Sequence, residues 1–217
     1  VFCDDDGSGG NPLAVFLDGG QVPPSARQAV AADLGLSETV FVDDVGSGEL
    51  RIFTPGVEMK FAGHPTVGTA WLLAQEVGPV ASLHVPAGYL RVRYEDEGTF
   101  VAARPEWSPA FEWERLDAPA DVDALSGPPG GHDHIGAWAW LDERAGTIRA
   151  RVFPVRYGIE EDEATGAAAV LLCARLGRRI DVRQGRGSRI RARPLDDGYV
   201  EVGGRSVLDD VREYDVP

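Results

Sequence analysis

Apolar and polar positions recur with two different periods along this chain, and each change of period marks an element. After a glycine-rich turn at 6–10, residues 11–17 read as a short buried strand. Residues 24–34 read as a helix, opened by Ser25 and stopped by Gly35. Alternation over 39–43 and 50–53 predicts two further strands. From His64 to about Val77 the spacing turns helical, and Gly78-Pro79 ends it. Short alternating runs at 83–85, 90–94 and 100–103 suit antiparallel ribbons. Residues 105–134, dense in proline, glycine and acids, break the pattern and read as a boundary. Beyond it lie strands at 135–141 and 148–154, then a second helix from Asp162 to about Leu176.

The two helical stretches resemble copies of one device. The first reads Phe61-Ala-Gly-His64-Pro-Thr-Val-Gly68, the second Glu160-Glu-Asp162-Glu-Ala-Thr-Gly166, each leading into small and then apolar residues. An offset of 98 places Gly68 on Gly166, Ala70 on Ala168, Leu73 on Leu171 and His64 on Asp162. The similarity extends past the helix, where Ile180-Asp-Val-Arg-Gln-Gly185 matches Leu83-His-Val-Pro-Ala-Gly88. Small residues such as Thr69, Ala70, Ala167, Ala168 and Ala169 suggest helices closely surrounded by sheet, where bulk does not fit. The fold class expected is therefore α+β: two similar domains, 1–107 and 108–217, each a mostly antiparallel sheet curled around a central helix. The last strand, at about 206–215, is expected to pack back on the first domain.

Candidate chemistry follows from the repeat. His64 and Asp162 fall at helix starts, where unpaired N–H groups and the positive end of the dipole favour anions. Asp162 taken alone is a natural N-cap. Histidine is a poor cap, so His64 calls for another role. Glu38, between a helix stop and an apolar strand, is either an exposed connector or an acid/base group whose pKa burial raises. His132-Asp-His134 lacks a third metal ligand, and the arginines from 175 to 193 alternate as solvent-facing strand positions do. A net charge of −14 sets the chain against nucleic acid and anionic lipid. The longest apolar run, 167–174, is too short to span a bilayer, and the lone cysteines Cys3 and Cys173 build no disulfide framework. No secretory leader is legible, so a cytoplasmic location is expected.

Four segments, taken in order, resemble the phenazine-biosynthesis PhzF-like isomerase/epimerase family: Gly10-Asn-Pro-Leu-Ala-Val-Phe16, Leu36-Ser-Glu-Thr-Val-Phe41, Phe53-Thr-Pro55 with Phe61-Ala-Gly-His-Pro-Thr-Val-Gly68, and Gly158-Ile-Glu-Glu-Asp-Glu-Ala-Thr-Gly166. The resemblance spans about residues 2 to 205 and implies a diaminopimelate-epimerase-like fold with the active site between two domains. It implies an isomerase without metal or organic cofactor, whose acid/base glutamate falls on Glu38 and whose accompanying histidine and aspartate fall on His64 and Asp162. Carboxylate-binding backbone positions fall on Gly63 and Gly166, with Ala167 and Asn11 also placed against substrate. Ala167 stands where the family often has serine, and Glu163 where proline is common. Relatives of the fold that racemise amino acids carry two cysteines at the helix starts, which this chain lacks. The expected partner is a small carboxylate substrate, with a homodimer as the candidate assembly and no role for nucleic acid or membrane. The alternative reading is a catalytically silent binder of small carboxylates on the same fold.

Overall fold

The computed structural model describes residues 1–216. Strand β1 (Ala14–Phe16) lies parallel to β2 (Thr39–Asp44), with helix α1 (Pro24–Leu34) making the crossover. Strand β3 (Glu49–Phe53) pairs antiparallel with β2 and carries the two-residue β4 (Glu58–Met59). After helix α2 (Gly63–Glu76), β5 (Ser82–Val85) returns parallel to β3, and β6 (Gly88–Glu95) and β7 (Gly98–Ala103) add an antiparallel meander. The second half repeats the scheme. Strand β8 (Glu112–Arg115), followed by α3 (Pro119–Asp123), lies parallel to β9 (Ile135–Asp142), which pairs antiparallel with β10 (Thr147–Phe153). Helix α4 (Gly166–Leu176) then leads to β11 (Ile180–Gln184), parallel to β10, and to the meander of β12 (Ser188–Pro194) and β13 (Val200–Gly204). Antiparallel pairing of β7 with β13 joins the halves into one curled sheet.

Sequence alternation decides what each face covers. In β2, Val40 and Val42 point into the core shared with α2 and α4, while Phe41 points the other way. There Phe41 stacks on Phe16 at 4.9 Å and meets Phe53 edge-on at 5.5 Å, beneath α1. Helices α2 and α4 share one core, in which Val67, Ala70 and Leu73 meet Ala169, Val170 and Leu172 together with β-strand residues from both halves. Complete burial of a side chain such as Leu73 contributes about 1.5–3 kcal/mol, so this common core ties the two halves together in addition to the β7–β13 ladder.

Several expectations are corrected. Strand β1 is shorter than 11–17, because Asn11 turns its side chain inward before the strand starts. Helix α1 opens with Pro24 in its first turn, and Ser25 makes no capping bond. The stretch 105–134 is not merely a break, since it holds β8 and α3. Trp113 of β8 lies across Gly136 of β9, a position where any Cβ would meet the indole. Residues 206–216 form no strand. They run as irregular chain, with Tyr214 edge-on to Phe16 at 5.7 Å and its hydroxyl donating to Asp33 at 2.6 Å.

The largest correction concerns the repeat. Helix α4 starts at Gly166, so Asp162 precedes it, whereas His64 lies within the first turn of α2. The first hairpin strands match at an offset of 97, buried Leu83 of β5 on buried Ile180 of β11, but the true helix starts, Gly63 and Gly166, lie 103 positions apart. Those two glycines touch. A Cβ on Gly63 would lie 2.7 Å from the Cα and carbonyl carbon of Gly166, and a Cβ on Gly166 would lie 2.9 Å from the Cα of Gly63. Only glycine permits that approach. Gly63→Ala and Gly166→Ala should each lower the unfolding free energy by about 1–3 kcal/mol. The double variant should lose less than the sum, because one displacement of the helices relieves both clashes. Urea denaturation of the four proteins measures this, and strictly additive losses would show two independent sites.

Candidate active site

The meeting of the two helix starts defines a place where backbone N–H groups of α2 and α4 converge without intrahelical acceptors. Three ionisable side chains surround it. Glu38 comes from the short connection between α1 and β2, where Gly35 at φ 63° stops the helix and turns the chain. His64 rises from the first turn of α2, and its Nδ1 lies 3.1 Å from Glu38 Oε2. Its Nε2 faces the Pro12 carbonyl at 3.3 Å, so each ring nitrogen meets an acceptor and the imidazolium can serve both. Asp162, just ahead of α4, is anchored by its backbone N–H donating to the Val152 carbonyl at 3.0 Å. The structure therefore brings Glu38, His64, Gly63 and Gly166 around one point with Asp162 close enough to act on Glu38 and His64 electrostatically.

Burial and partners set different proton affinities for the two carboxylates. For Asp162, removal from water is the largest influence and the Glu38 charge adds to it. Together they outweigh the Thr165 hydrogen bond, the His64 charge and the Asn11 hydrogen bond, pushing the carboxyl up to about 6. Glu38 goes the other way. Burial works to raise it, but the His64 charge, the His64 contact and the Ser37 hydroxyl hold it below the usual carboxylate range. This corrects the expectation that burial would raise the pKa of Glu38: burial acts in that direction, and His64 overrides it. Glu38 is also the least enclosed of the three, with 15% of its side chain exposed against 2% for His64.

Other expected residues take different places. Asn11 does not project a free amide toward a ligand: its Nδ2 donates to Asp162 Oδ1 at 2.7 Å and its Oδ1 accepts from Ser37 Oγ at 3.2 Å. It links the Glu38 connection to the Asp162 loop. Ala167 lies at the helix start with its backbone N beside Gly63, and its side chain carries no polar group. His132 pairs with exposed Glu112, while His134 Nδ1 sits 2.7 Å from the Ala110 carbonyl. Among the described residues no three His, Cys, Asp or Glu side chains gather as a metal site, and no helix is long and apolar enough to cross a membrane. Thr165 and Gln184 were not singled out from the sequence. Thr165 Oγ1 donates to Asp162 Oδ2 at 2.6 Å, and Gln184 Nε2 donates to the Asp162 carbonyl at 2.8 Å. Gln184 had a legible signal, being the one polar residue on the buried face that Ile180 and Val182 define in β11.

Comparison with known proteins settles the family. The model of the phenazine biosynthesis-like protein family, PhzC-PhzF, matches residues 1–130. The chain belongs to that family. A curated relative from Pseudomonas aeruginosa, named trans-2,3-dihydro-3-hydroxyanthranilate isomerase, is 31% identical, with 90% of each chain covered. A solved structure described as a phenazine biosynthesis PhzC/PhzF protein, from Clostridium difficile, superposes with a TM-score of 0.74 at 20% identity, covering 96% of this chain and 94% of that one. Another, described as a predicted epimerase from Pseudomonas aeruginosa, gives a TM-score of 0.64 at 25% identity with 91% of each chain covered. This PhzF-family protein is accordingly an isomerase with an α+β, epimerase-like fold.

The Asp162 carboxyl makes a stability prediction of definite sign. In the unfolded chain it releases its proton near 3.8 and in the folded chain at about 6. Between those values the folded chain holds a proton that the unfolded chain gives up, so its contribution to stability falls as pH rises through the window. Asp162→Asn removes that titration. Its melting temperature should gain on the parent's as pH rises from about 4 to about 7. A difference independent of pH would mean that Asp162 titrates as an ordinary exposed carboxyl.

Proposed function

We propose that this PhzF-family isomerase shifts a proton between carbon positions, or inverts a carbon centre, in a small carboxylate-bearing metabolite by side-chain acid/base chemistry. The observation that carries the reading is the separation of the two buried carboxylates: Glu38 held ionised beside His64, Asp162 pushed up to about 6. Pairs of titratable groups driven apart by their surroundings are how one site supplies a base and an acid together. Glu38, with its Oε2 buried and accepting no well-aligned hydrogen bond, takes the proton from an acidic C–H. His64 stabilises the ionised Glu38 and the oxygen on which negative charge develops. Asp162 returns a proton, and a substrate that displaces water over it raises its hold on that proton further.

The converging amides of α2 and α4 are the natural seat for the substrate carboxylate, since N–H groups and dipoles there are fixed before binding. A local seat of this kind prevails over the −14 net charge because salt screens the distant charges beyond about 10 Å. The relative named for trans-2,3-dihydro-3-hydroxyanthranilate makes that compound the first to assay. Ala167, which presents a methyl group where a hydroxyl could contact substrate, favours other small amino, hydroxy and cyclic acids as the second set, and supports the competing reading of a silent binder.

Solvent-deuterium wash-in at a substrate carbon separates the two readings, since a binder exchanges nothing. Glu38→Gln should keep the fold and carboxylate binding while exchange falls about 10²–10⁴-fold, because the near-isosteric amide cannot shuttle a proton. The rate of exchange should decline on the basic side as Asp162 loses its proton, and that limb should disappear in Asp162→Asn. Wild-type exchange by Glu38→Gln on a verified substrate would reduce Glu38 to a structural group and transfer the chemistry to His64 or Asp162.

A further inference from the structure

We infer that Gln184 is a positioning residue: its amide locks the loop that carries Asp162 and walls Asp162 off from a neighbouring cleft. The inference rests on the proposed role of Asp162, though its test needs no substrate. Every polar group of the Gln184 amide is engaged on one four-residue loop. Nε2 donates to the Asp162 carbonyl at 2.8 Å and to Thr165 Oγ1 at 2.9 Å, and Oε1 accepts the Thr165 N–H at 3.3 Å. An amide has two donors and an acceptor, and the Thr165 N–H fixes which end is which. Because Thr165 Oγ1 receives the Gln184 proton, its own proton is directed at Asp162 Oδ2, 2.6 Å away. The chain Gln184–Thr165–Asp162 is thus a directed relay in which each member orients the next.

On its other side Gln184 lines a cleft of about 380 Å³ whose charged walls are Asp4, Asp123, Arg149, Arg183 and Arg186. Gln184 itself is only 2% exposed, so it separates that cleft from Asp162. A second set of contacts between the same segments braces the partition. Glu163 Oε1 accepts from the Arg186 N–H at 2.6 Å and from Ser188 Oγ at 3.2 Å, and Ser188 Oγ accepts from the Gly10 N–H at 3.0 Å. The segments carrying Asn11, Asp162 and Gln184 are therefore fastened to one another twice. Glu163 is turned away to Arg186, so the charges acting on Asp162 are those of Glu38 and His64 from the first half.

Carboxyl ¹³C NMR titration of Asp162 tests both parts of the inference in the whole protein. Gln184→Leu keeps the wall and removes the relay, so the Asp162 midpoint should move above about 6. Gln184→Ala also admits water from the cleft, and its midpoint should lie below that of Gln184→Leu because burial is the largest influence on this carboxyl. Thr165→Val, nearly isosteric, removes only the relaying hydroxyl and should raise the midpoint without disturbing the wall. It keeps the test decisive if a Gln184 variant does not fold. The Thr165 amide should exchange with solvent about tenfold faster in Gln184→Leu, the loss expected for one hydrogen bond. Midpoints equal to wild type in all three variants would overturn the relay, and Gln184→Ala titrating no lower than Gln184→Leu would overturn the wall. An enzyme silent in deuterium exchange would leave both standing.

Discussion

The contact between Gly63 and Gly166 is the constraint from which the site follows. Two helix starts can abut only if neither carries a side chain at the point of contact, since a Cβ on either would sit within 3 Å of the other's backbone. Once they abut, their unpaired amides and positive dipole ends face one place. An aligned pair of N-termini repels itself, and the cost is met by the shared core behind it, where Val67, Ala70 and Leu73 meet Ala169, Val170 and Leu172. Positive potential at a buried point then selects what surrounds it, which here is two carboxylates and an imidazole that can pair with one of them.

Those three groups illustrate how little sequence proximity says about proton affinity. Glu38 and Asp162 are both enclosed, yet they shift in opposite directions. Desolvation acts on both. What distinguishes them is the His64 nitrogen 3.1 Å from Glu38, against neutral donors, Thr165 and Asn11, at Asp162. Neutral hydrogen bonds stabilise a carboxylate less than a cation does, so burial wins at Asp162 and loses at Glu38. The two carboxylates of one site are thereby left with different proton affinities.

Much of the architecture was legible because period and punctuation are local. Alternation gave β2, β3 and β5–β7, glycine stops gave the ends of α1 and α2, and the motif around Phe61–Gly68 gave the start of α2 to within a residue. The repeat was visible for the same reason, but its register was not. Gly63 lies ten positions beyond Phe53 and Gly166 thirteen beyond Phe153, while α4 is shorter than α2, so a single offset cannot serve both the helix starts and the hairpins. Matching glycines by their intervals paired Gly68 with Gly166; the contact that makes Gly63 and Gly166 equivalent is tertiary and leaves no interval to read. Strand β8 was hidden by prolines and acids because its parallel pairing with β9, and the packing of Trp113 over Gly136, come from the other side of a loop. The inward turn of Asn11 and the amide of Gln184 belong to the same class: contacts across 151 and 22 positions of chain.

The symmetry of the frame makes the asymmetry of the chemistry informative. By helix position the counterpart of His64 is Ala167, which carries no ionisable group, so the second half presents none at its helix start. Its ionisable group is Asp162, delivered by the longer approach to α4 and held by partners drawn from both halves: Asn11 from the first, Thr165 and Gln184 from the second. A group on a helix start is positioned by the helix. A group on a loop must be positioned by hydrogen bonds, and every additional partner that fixes it also alters its proton affinity. The duplicated scaffold thus positions His64 by helix geometry and Asp162 by a network, and that network leaves the aspartate with a proton affinity different from that of Glu38 across the site.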